Sequence, residues 1–151
     1  MRNAPELSEA EAFFRDKIPL TRAMQVRVVP HADGFAVEAP VAPNHNHLQT
    51  AFGGSINAIA TLAAYGFVWL ELRDSAAEVV VAESSIKFRA PILETICAIC
   101  TAPAPAELAS FKATFAAKGK ARLSLKVRVE ENGAVAAEFA GTFVAIRRHR
   151  G

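Results

Sequence analysis

The chain has 151 residues, of which 52% are hydrophobic and 21% are charged, and its formal net charge is +2. This composition is typical of a globular protein with a substantial core, and the nearly balanced charge argues against binding to nucleic acid. The length favours one domain covering residues 1–151. Because the first residues are rich in charge and lack the apolar run of a signal peptide, a cytoplasmic location is expected.

The first third of the chain predicts one helix and a hairpin of two strands. Ser8 and Glu11 have the spacing of a capping box, which predicts a short helix over residues 7–17 that ends before Pro19. Alternating apolar residues predict a strand over residues 22–29 and a second over residues 35–41. The turn sequence HADG between the two strands indicates that they pair as a hairpin.

The middle of the chain predicts a long buried helix over residues 55–72. No charged residue occurs between Glu38 and Glu71, and this segment has no wide polar face. A helix that is apolar all round is buried, either in a protein core or in a membrane. Small and polar residues such as Asn57 and the lack of flanking Lys or Arg clusters favour the core, so no membrane span is predicted.

The last part of the chain predicts consecutive strands. In residues 79–89 one face is expected to cover the helix, namely Val80, Ala82, Ser84, Ile86 and Phe88. Further strands are predicted over residues 94–101 and 122–130 and over Ala134–Arg147, with an ENG hairpin turn before the last. Residues 110–117 fit either a helix or a strand, and a strand is favoured.

These patterns together predict an α+β fold in which an antiparallel sheet curls around one long buried helix. Each predicted strand has an apolar face, and the helix has no polar face that could be left in water. A single sheet cannot surround a helix completely. A second copy of the chain is therefore expected to close the open side, as a symmetric homodimer.

Cys97 and Cys100 form a CxxC pair within the strand predicted over residues 94–101. A separation of three places the two thiols on opposite faces of a strand. A redox pair of this kind usually opens a helix, and a structural zinc site needs four ligands. Two ordinary thiols, at least one of them buried, are therefore favoured over a redox or metal site.

Three pieces of sequence carry a resemblance to a known family. They are Asn46 at the start of a loop, the glycine pair Gly53 and Gly54 at the start of the long helix, and the Phe-Arg-Ala-Pro run over residues 88–91. With the string NHLQTAFGGS, this order resembles the hotdog-fold acyl-thioester hydrolases. It is most similar to the bacterial thioesterase domain that elsewhere follows an acetyltransferase. The resemblance implies hydrolysis of a thioester without a metal or other cofactor.

The glycine pair also has a physical reason to be part of a site. The start of a helix presents unpaired amide groups and a partial positive charge, and glycine has no side chain to keep a substrate carbonyl away from them. Gly53 and Gly54 are thus candidates for an oxyanion hole, with Asn46 as a donor that holds a water or the carbonyl. The alternative is a tight turn that packing alone demands.

The catalytic acid is where this chain departs from the resemblance. Related phenylacetyl-CoA thioesterases commonly have a His before the glycines and an Asp about two turns into the helix, where this chain has Phe52 and Thr61. A hydroxyl is a poor base, so Thr61 could orient a water but hardly deprotonate it. Glu83 is the best candidate for a carboxylate that replaces the missing Asp. The alternative is that Glu83 only forms a salt bridge with Lys87 or Arg89. His47 is a second candidate base, whereas the His45/His47 pair lacks a third ligand for a metal.

The resemblance also implies where a substrate would lie. Phe52, Ile56 and Tyr65 would line a tunnel for the acyl chain beside the helix start, and Ser55 and His47 would contact the substrate. Lys87, Arg89 or the C-terminal arginines would meet phosphates of coenzyme A, or would be plain surface.

Three functions remain open from the sequence. The favoured one is hydrolysis of an acyl-CoA or acyl-carrier-protein thioester by water attack. The first alternative is a non-catalytic module of the same fold that binds acyl thioesters, and the second is a structural dimer without a ligand. The sequence does not decide whether dimers pair further into tetramers.

Overall fold

The computed structural model describes residues 2–148, which form four α-helices, one short 3₁₀ helix and six strands. The helices are α1 (Ala4–Lys17), α2 (Leu20–Met24), α3 (Gly53–Leu72) and α4 (Pro105–Lys118), and the 3₁₀ helix is Ala42–Asn44. The strands are β1 (Arg27–His31), β2 (Gly34–Pro40), β3 (Ala77–Phe88), β4 (Thr95–Thr101), β5 (Lys120–Glu131) and β6 (Ala134–Arg147).

The six strands form one antiparallel sheet in the order β1-β2-β4-β5-β6-β3, and α3 packs along its inner face. Half of the α3 residues are buried, including Ile59, Ala60, Ala63 and Val68. The helix ends at Arg73, which is in the left-handed conformation (φ 49°) and donates its N–H to the Trp69 carbonyl. The predicted fold, a sheet wrapped around one long buried helix, is thus confirmed.

Among residues 2–148, α3 is the only helix long and apolar enough to cross a membrane. Of its most apolar window, 56% is buried inside the chain. Rings of α1 also cover it, since Phe13 stacks on Tyr65 and on Trp69 with centroids 6.3 and 5.1 Å apart. The sheet and α1 cover apolar surface of α3, so its apolar character is explained by its place in the core of this fold.

Both predicted hairpins are confirmed, and their turns have the expected chemistry. β1 and β2 pair from Arg27 opposite Glu38 to His31 opposite Gly34. β5 and β6 are joined by Asn132 and Gly133, which have φ angles of 54° and 79°. Positive φ at both central residues matches the right-handed twist of the flanking strands, and Asn-Gly adopts it at low cost.

The prediction of a strand over residues 22–29 is wrong in its first half. Residues 20–24 form α2, Gln25 is left-handed (φ 59°), and β1 begins only at Arg27. The Thr21 hydroxyl contacts the carbonyls of Phe14 and Ile18 at 3.0 and 2.8 Å, which favours another helical turn after α1. The apolar alternation reflects burial and not conformation, because Met24, Val26 and Val28 are all buried.

The favoured strand over residues 110–117 is also wrong, since the segment lies within α4. Phe111 and Phe115 are four residues apart, so a helix places both on one face, and both are buried where α4 packs on β5. Pro105 lies in the first turn and Gly119 ends the helix with a φ of 70°. These are the usual start and stop residues of a helix.

The first helix begins earlier than predicted. Asn3, and not Ser8, is its N-cap: the Asn3 side chain accepts from the Glu6 amide (3.0 Å) and Glu6 accepts from the Asn3 amide (3.2 Å). Both pairs have the three-residue spacing of a capping box, so spacing alone does not separate them. Glu11 instead accepts a hydrogen bond from the Val28 amide of β1 (2.8 Å).

The predicted inner face of β3 is correct only after a β-bulge. Val81 lies opposite Phe143 and Glu83 lies opposite Thr142, so Ala82 is an extra residue. Ser84, Ile86 and Phe88 therefore share the inner face as predicted. Before the bulge the inner residues are Val79 and Val81, whereas Val80, which was predicted to cover the helix, lies on the outer face.

Candidate active site

The loop between β2 and α3 is anchored by Asn44, which is buried. Its side-chain amide donates to the carbonyls of Met24 (2.9 Å) and Pro40 (2.8 Å), and its own carbonyl accepts from the Phe52 amide (2.8 Å). Asn44 therefore ties α2 and the end of β2 together through its side chain, and the start of α3 through its backbone carbonyl. This fixes the position of the first turn of α3.

Asn46 closes a turn in the same loop. Its Oδ1 accepts from the amides of Leu48 (2.8 Å) and Thr50 (3.2 Å), and its Nδ2 donates to the Thr50 hydroxyl (2.9 Å). The side chain is thus directed into its own loop. Its contribution in this structure is to shape the loop, and its role as a donor to substrate stays a prediction.

The two histidines lie on the exposed side of this loop. His45 Nδ1 lies 2.8 Å from the Asn46 carbonyl, and within residues 2–148 no hydrogen bond joins His47 to another residue. In the described part of the chain, no three His, Cys, Asp or Glu side chains cluster as metal ligands would. His47 stands close in sequence to the site but is not held in it.

The first turn of α3 presents free amide groups. Phe52 is the N-cap, and no side chain within residues 2–148 caps the helix. The first amide with a backbone acceptor is that of Ile56, which donates to the Phe52 carbonyl (3.0 Å), so in the described chain the amides of Gly53, Gly54 and Ser55 have no acceptor. These three donors and the positive end of the helix dipole form a site for a developing negative charge.

Each of the two glycines lies against an aromatic ring. A Cβ added to Gly54 would lie 2.5 Å from Cε2 of Phe52, and one added to Gly53 would lie 3.3 Å from Cζ of Phe88. Both rings are unusually open to solvent, with Phe52 56% and Phe88 54% exposed. The glycines thus allow both a close approach of the rings and access to the amides.

A cleft of about 350 Å³ opens beside this turn. It is lined by Leu20, Ala23, Met24, Pro43, Asn44, Phe52, Gly54, Ser55 and Ala58. Most of these side chains are apolar, and Leu20 is exposed at the rim. Phe52 and Ser55, which were predicted to contact the substrate, line this cleft, whereas Ile56, predicted beside them, is buried in the core.

One turn further along α3, Asn57 holds a polar atom without a partner. Its Oδ1 is buried, and no donor within residues 2–148 reaches it. Asn57 is four residues after Gly53, so both lie on the same side of the helix. Buried acceptors are nearly always hydrogen-bonded, so this one calls for a donor from a water, a ligand or a second chain.

The Thr61 hydroxyl is already engaged. Its Oγ1 donates to the backbone carbonyl of Asn57 (2.8 Å), the usual bond of a threonine to the preceding helical turn. The proton of Thr61 therefore points away from a substrate. Only a lone pair on the oxygen remains to orient a water.

Comparison with known proteins places these features in a family. A family model described as "Putative thioesterase (yiiD_Cterm)" matches residues 7–147, which is nearly the whole chain. This chain belongs to that thioesterase family.

Solved structures agree with the thioesterase family. A protein of unknown function from Chlorobaculum tepidum is 33% identical, with a TM-score of 0.85 over 93% of this chain and 94% of that one. A "putative thioesterase" from Shewanella oneidensis is 28% identical, with a TM-score of 0.82 over 95% and 99% of the two chains. A Bacillus halodurans protein determined with CoA is 17% identical (TM-score 0.68, 96% and 91% covered), which shows the shared fold alone.

In this member of the thioesterase family, Glu83 is not brought to the α3 amides of its own chain. It lies opposite Thr142 on the outer face of the sheet, where it lines a groove with Glu107 and Ser124. Phe88, which touches Gly53, is five residues further along β3, or roughly 17 Å away. Within residues 2–148, no hydrogen bond made by residues 44–61 involves a carboxylate.

The cations expected to meet phosphates are mostly engaged elsewhere. Arg89 Nε donates to Glu138 (2.6 Å), Arg148 Nε donates to Glu78 (2.7 Å), and Arg147 lies 3.5 Å from Asp74 and over the Phe115 ring. Lys87 lies exposed on the outer face of β3. His149 and Arg150 lie outside the described residues.

The two cysteines of this thioesterase-family chain are ordinary thiols, as predicted. Both lie in β4 and are free in the part of the chain that the structure describes, with Cys100 buried and Cys97 partly buried. Burial raises the pKa of Cys97 to about 11 and that of Cys100 to about 12. Neither thiol therefore forms appreciable thiolate at neutral pH.

Two residues of the site were missed by the sequence analysis. Phe88 was assigned to the helix-covering face of a strand and to the Phe-Arg-Ala-Pro run but not to the site, and its contact with Gly53 depends on how β3 passes the helix start. Asn57 was used only as an argument against a membrane span. Its signal was present in the sequence, because a lone amide in an apolar helix, four residues after a glycine pair, needs a partner.

Proposed function

We propose that this chain hydrolyses an acyl thioester of coenzyme A or of an acyl carrier protein by direct attack of water. The observation that carries the proposal is the set of three unpaired amides at the start of α3, next to an apolar cleft. Membership of a thioesterase family supports the same reaction class. The acyl group would lie in the cleft, and the carbonyl oxygen would point at the Gly53 and Gly54 amides.

The amides match the charge that develops in this reaction. When the water oxygen bonds to the carbonyl carbon, negative charge collects on the carbonyl oxygen, and the thiolate then leaves as the carbon–sulfur bond breaks. Donors that already point at the oxyanion lower the barrier, and loss of one such donor costs about 3 to 4 kcal/mol in characterised hydrolases.

Asn57 supplies an acceptor for the attacking water. Its buried Oδ1 has no donor within the described chain, and it lies one turn below the oxyanion amides. Because Oδ1 is closed to water in the free chain, the proposed water would enter together with the substrate, donate one hydrogen bond to Oδ1 and present its oxygen to the carbonyl carbon. An amide orients such a water but does not take its proton, which leaves His47 or a Glu83 from a second copy as the proposed base.

A second function has a specific observation in its favour. Within residues 2–148 no carboxylate joins the hydrogen bonds of residues 44–61, and the Thr61 hydroxyl is engaged by the helix. A chain that holds the carbonyl but cannot activate a water would bind acyl thioesters without hydrolysing them. The alternative is therefore a non-catalytic acyl-thioester binding module.

The proposed unit is a homodimer in the cytoplasm, which could pair further into a tetramer. In the described chain β3 has a neighbour only on one side, and Val81 and Phe88 on its inner face are largely exposed. A second copy placed along β3 would cover these residues and bring its own side chains to the site. The unpaired thiols Cys97 and Cys100 are in keeping with a reducing compartment.

Release of free thiol from a panel of short, medium, long and aromatic acyl-CoAs and acyl carrier proteins tests the proposal. The wild-type protein can be used, because its own thiols have raised pKa values and react slowly with a thiol reagent. Hydrolysis of one substrate class that persists with a chelator is the expected result. A thermal shift without thiol release would favour the binding module, and neither effect would rule out both functions.

The variant Asn57→Ala tests the water site in the same assay. It removes one hydrogen bond to the water, worth about 1 kcal/mol, so kcat should fall about five- to tenfold while KM stays close to the wild-type value. Because Oδ1 has no partner in the described chain, Tm should not fall. A fall in Tm with unchanged kcat would show that Asn57 is structural.

A further inference from the structure

The arginines of this chain divide clearly into paired and unpaired ones. Within residues 2–148, those with a carboxylate at salt-bridge distance are Arg2, Arg73, Arg89, Arg128, Arg147 and Arg148. The arginines without one in the same range are Arg15, Arg22, Arg27 and Arg122. Three of these four, Arg15, Arg22 and Arg27, lie together at one corner of the fold.

This corner contains a cleft of about 500 Å³, which we call the arginine cleft. It is lined by Arg15, Gln25, Val26, Arg27, Glu38, Ala39, Pro40 and Thr95. Arg15 comes from the last turn of α1, and Arg27 from the first residue of β1. Arg22 of α2 does not line the cleft, but its guanidinium donates to the carbonyl of Arg15, which does.

The arginine cleft has an excess of positive charge. Glu38 is the only acid in its lining, and although it lies opposite Arg27 in the β1–β2 register, the two are not within salt-bridge distance. Asp16, next to Arg15 in sequence, pairs with Lys17 at 3.4 Å. Guanidinium groups present several N–H donors in a fixed plane, which matches the oxygens of a phosphate group.

The cleft of about 350 Å³ beside the first turn of α3, which we call the thioester cleft, shares a wall with the arginine cleft. Met24 lines the thioester cleft and the next residue, Gln25, lines the arginine cleft; likewise Pro40 lines the arginine cleft and Asn44 the thioester cleft. The Asn44 amide joins the two sides of this wall through its bonds to Met24 and Pro40. One layer of residues thus separates an apolar site for an acyl group from a basic site.

We propose that the arginine cleft binds the phosphate groups of a coenzyme A thioester whose acyl end lies in the thioester cleft. This inference rests on the proposed function and assigns its substrate class as CoA. In CoA the flexible pantetheine arm separates the thioester from a diphosphate and a 3′-phosphate, so one ligand can occupy both clefts. An acyl carrier protein presents a single phosphodiester at that distance, which offers less charge to the two arginines that line the cleft.

Binding of CoA and of its fragments tests the arginine cleft without any need for turnover. Titrations of wild-type protein with CoA, dephospho-CoA and pantetheine should give affinities that fall in that order. The double variant Arg15→Gln/Arg27→Gln should bind CoA about 10 to 100 times more weakly, as expected for the loss of charge-assisted hydrogen bonds, and bind pantetheine as the wild type does. Its CoA affinity should also depend less on salt.

Arg122→Gln is the matched control, because Arg122 is also exposed and without a carboxylate partner in residues 2–148, but lies in β5 away from the cleft. Equal CoA binding by Arg122→Gln and the double variant would overturn the inference. So would equal affinity of the wild type for CoA and pantetheine, or binding of an acyl carrier protein in place of CoA.

The hydrolysis assay separates the two proposals. Hydrolysis of both acyl-CoA and acyl-pantetheine, with equal KM values in the wild type, would keep the hydrolase and overturn the arginine cleft as a CoA site. Arginine-dependent CoA binding without thiol release would keep the arginine cleft and overturn the hydrolase. If both proposals hold, the double variant raises KM for acyl-CoA with kcat unchanged.

Discussion

The aromatic rings against the glycine pair make it possible to distinguish a packing role of the two glycines from a chemical role. Gly54 leaves room for Phe52 and Gly53 leaves room for Phe88, yet both rings are more than half exposed and can move away. Because these rings can move, a methyl group added at either glycine should cost little stability. The same methyl group would still stand between the carbonyl of a substrate and the α3 amides.

The variant Gly54→Ala should therefore lose activity without losing stability. Alanine is favoured over glycine in a helix by about 0.5 to 1 kcal/mol, so Tm should stay level or rise. The displaced Phe52 ring and the new methyl should lower kcat/KM at least about tenfold by disturbing the oxyanion donors. Thermal melts and thiol-release kinetics on the same sample give both values.

The double variant Phe52→Ala/Gly54→Ala identifies which group blocks the site. Without the ring, a loss of activity that persists would be due to the methyl group at the amides. Full activity in Gly54→Ala together with a lower Tm would contradict the oxyanion role and leave packing as the reason for glycine.

At this scale the sequence predicted that the glycine pair opens the long helix, but not the direction of the side chains around it. The glycine pair and the cleft residues Phe52 and Ser55 follow from the start of one helix, which local sequence predicts. The inward direction of Asn46 depends on a turn closed by Thr50, and the position of Phe88 depends on the pairing of β3 with β6. Contacts of this kind are set by the whole fold and are not encoded in spacing.

Among the elements, the hairpins with their own turn chemistry were predicted, whereas α2 and α4, which were judged by apolar period alone, were not. The Asn132-Gly133 hairpin follows from two residues that accept positive φ. In contrast, Phe111 and Phe115 fit a strand face and a helix face equally well, and only packing on β5 selects the helix. The same ambiguity affects α2, where a side-chain hydrogen bond from Thr21 extends a helical region.

Glu131 links two elements and makes stability depend on pH. From the end of β5 its carboxylate accepts hydrogen bonds from the amides of Leu93, Glu94 and Thr95, at 2.9, 2.7 and 3.2 Å. Burial raises the pKa of Glu131, but the three backbone bonds together outweigh this effect and lower the pKa below the usual 4.5. A lowered pKa in the folded state stabilises the fold above pH 4.5, and this stabilisation is lost as the pH falls through the folded value.

The variant Glu131→Gln should thus be less stable than the wild type at pH 7, with a difference that shrinks as the pH falls below 4.5. Urea unfolding at pH 7 and at pH 3 measures the change. Glu107→Gln is the control, since Glu107 is exposed and makes no hydrogen bond within residues 2–148. A constant difference between Glu131→Gln and wild type at both pH values would mean that the carboxylate charge is not what holds the start of β4.

For the whole molecule, the two edges of the sheet differ in a way that favours a partner at one of them. On β1, Pro30 removes a donor and Glu11 accepts the Val28 amide, so this edge is protected against pairing. On β3 the twelve residues from Ala77 to Phe88 have no such cover within the described chain. The sequence predicted the wrapped sheet, because every strand has an apolar face, but the bulge at Ala82 has no sequence signal.

Val81→Lys tests whether the open edge pairs with a second copy. Val81 is 43% exposed on β3, and a charge there should turn the proposed dimer into a monomer with an unchanged far-ultraviolet circular dichroism spectrum. Light scattering coupled to size-exclusion chromatography measures the mass. Val135→Lys, at a comparably exposed valine of β6, should leave the dimer intact. A Val81→Lys protein that stays dimeric would place the interface elsewhere.

Because β3 pairs with β6, it must remain unpaired during synthesis until β6 has been made. The outermost pair joins Ala77 to Arg147, 70 residues apart, and β6 is the neighbour of β3 within the described sheet. At about 5 to 20 residues per second, β3 is made on the order of ten seconds before its partner strand. A nascent chain therefore carries the apolar run Val79, Val80 and Val81 unpaired until its partners Phe143, Val144 and Ala145 have been made. Interrupting synthesis before β6 would leave that run as a site for aggregation.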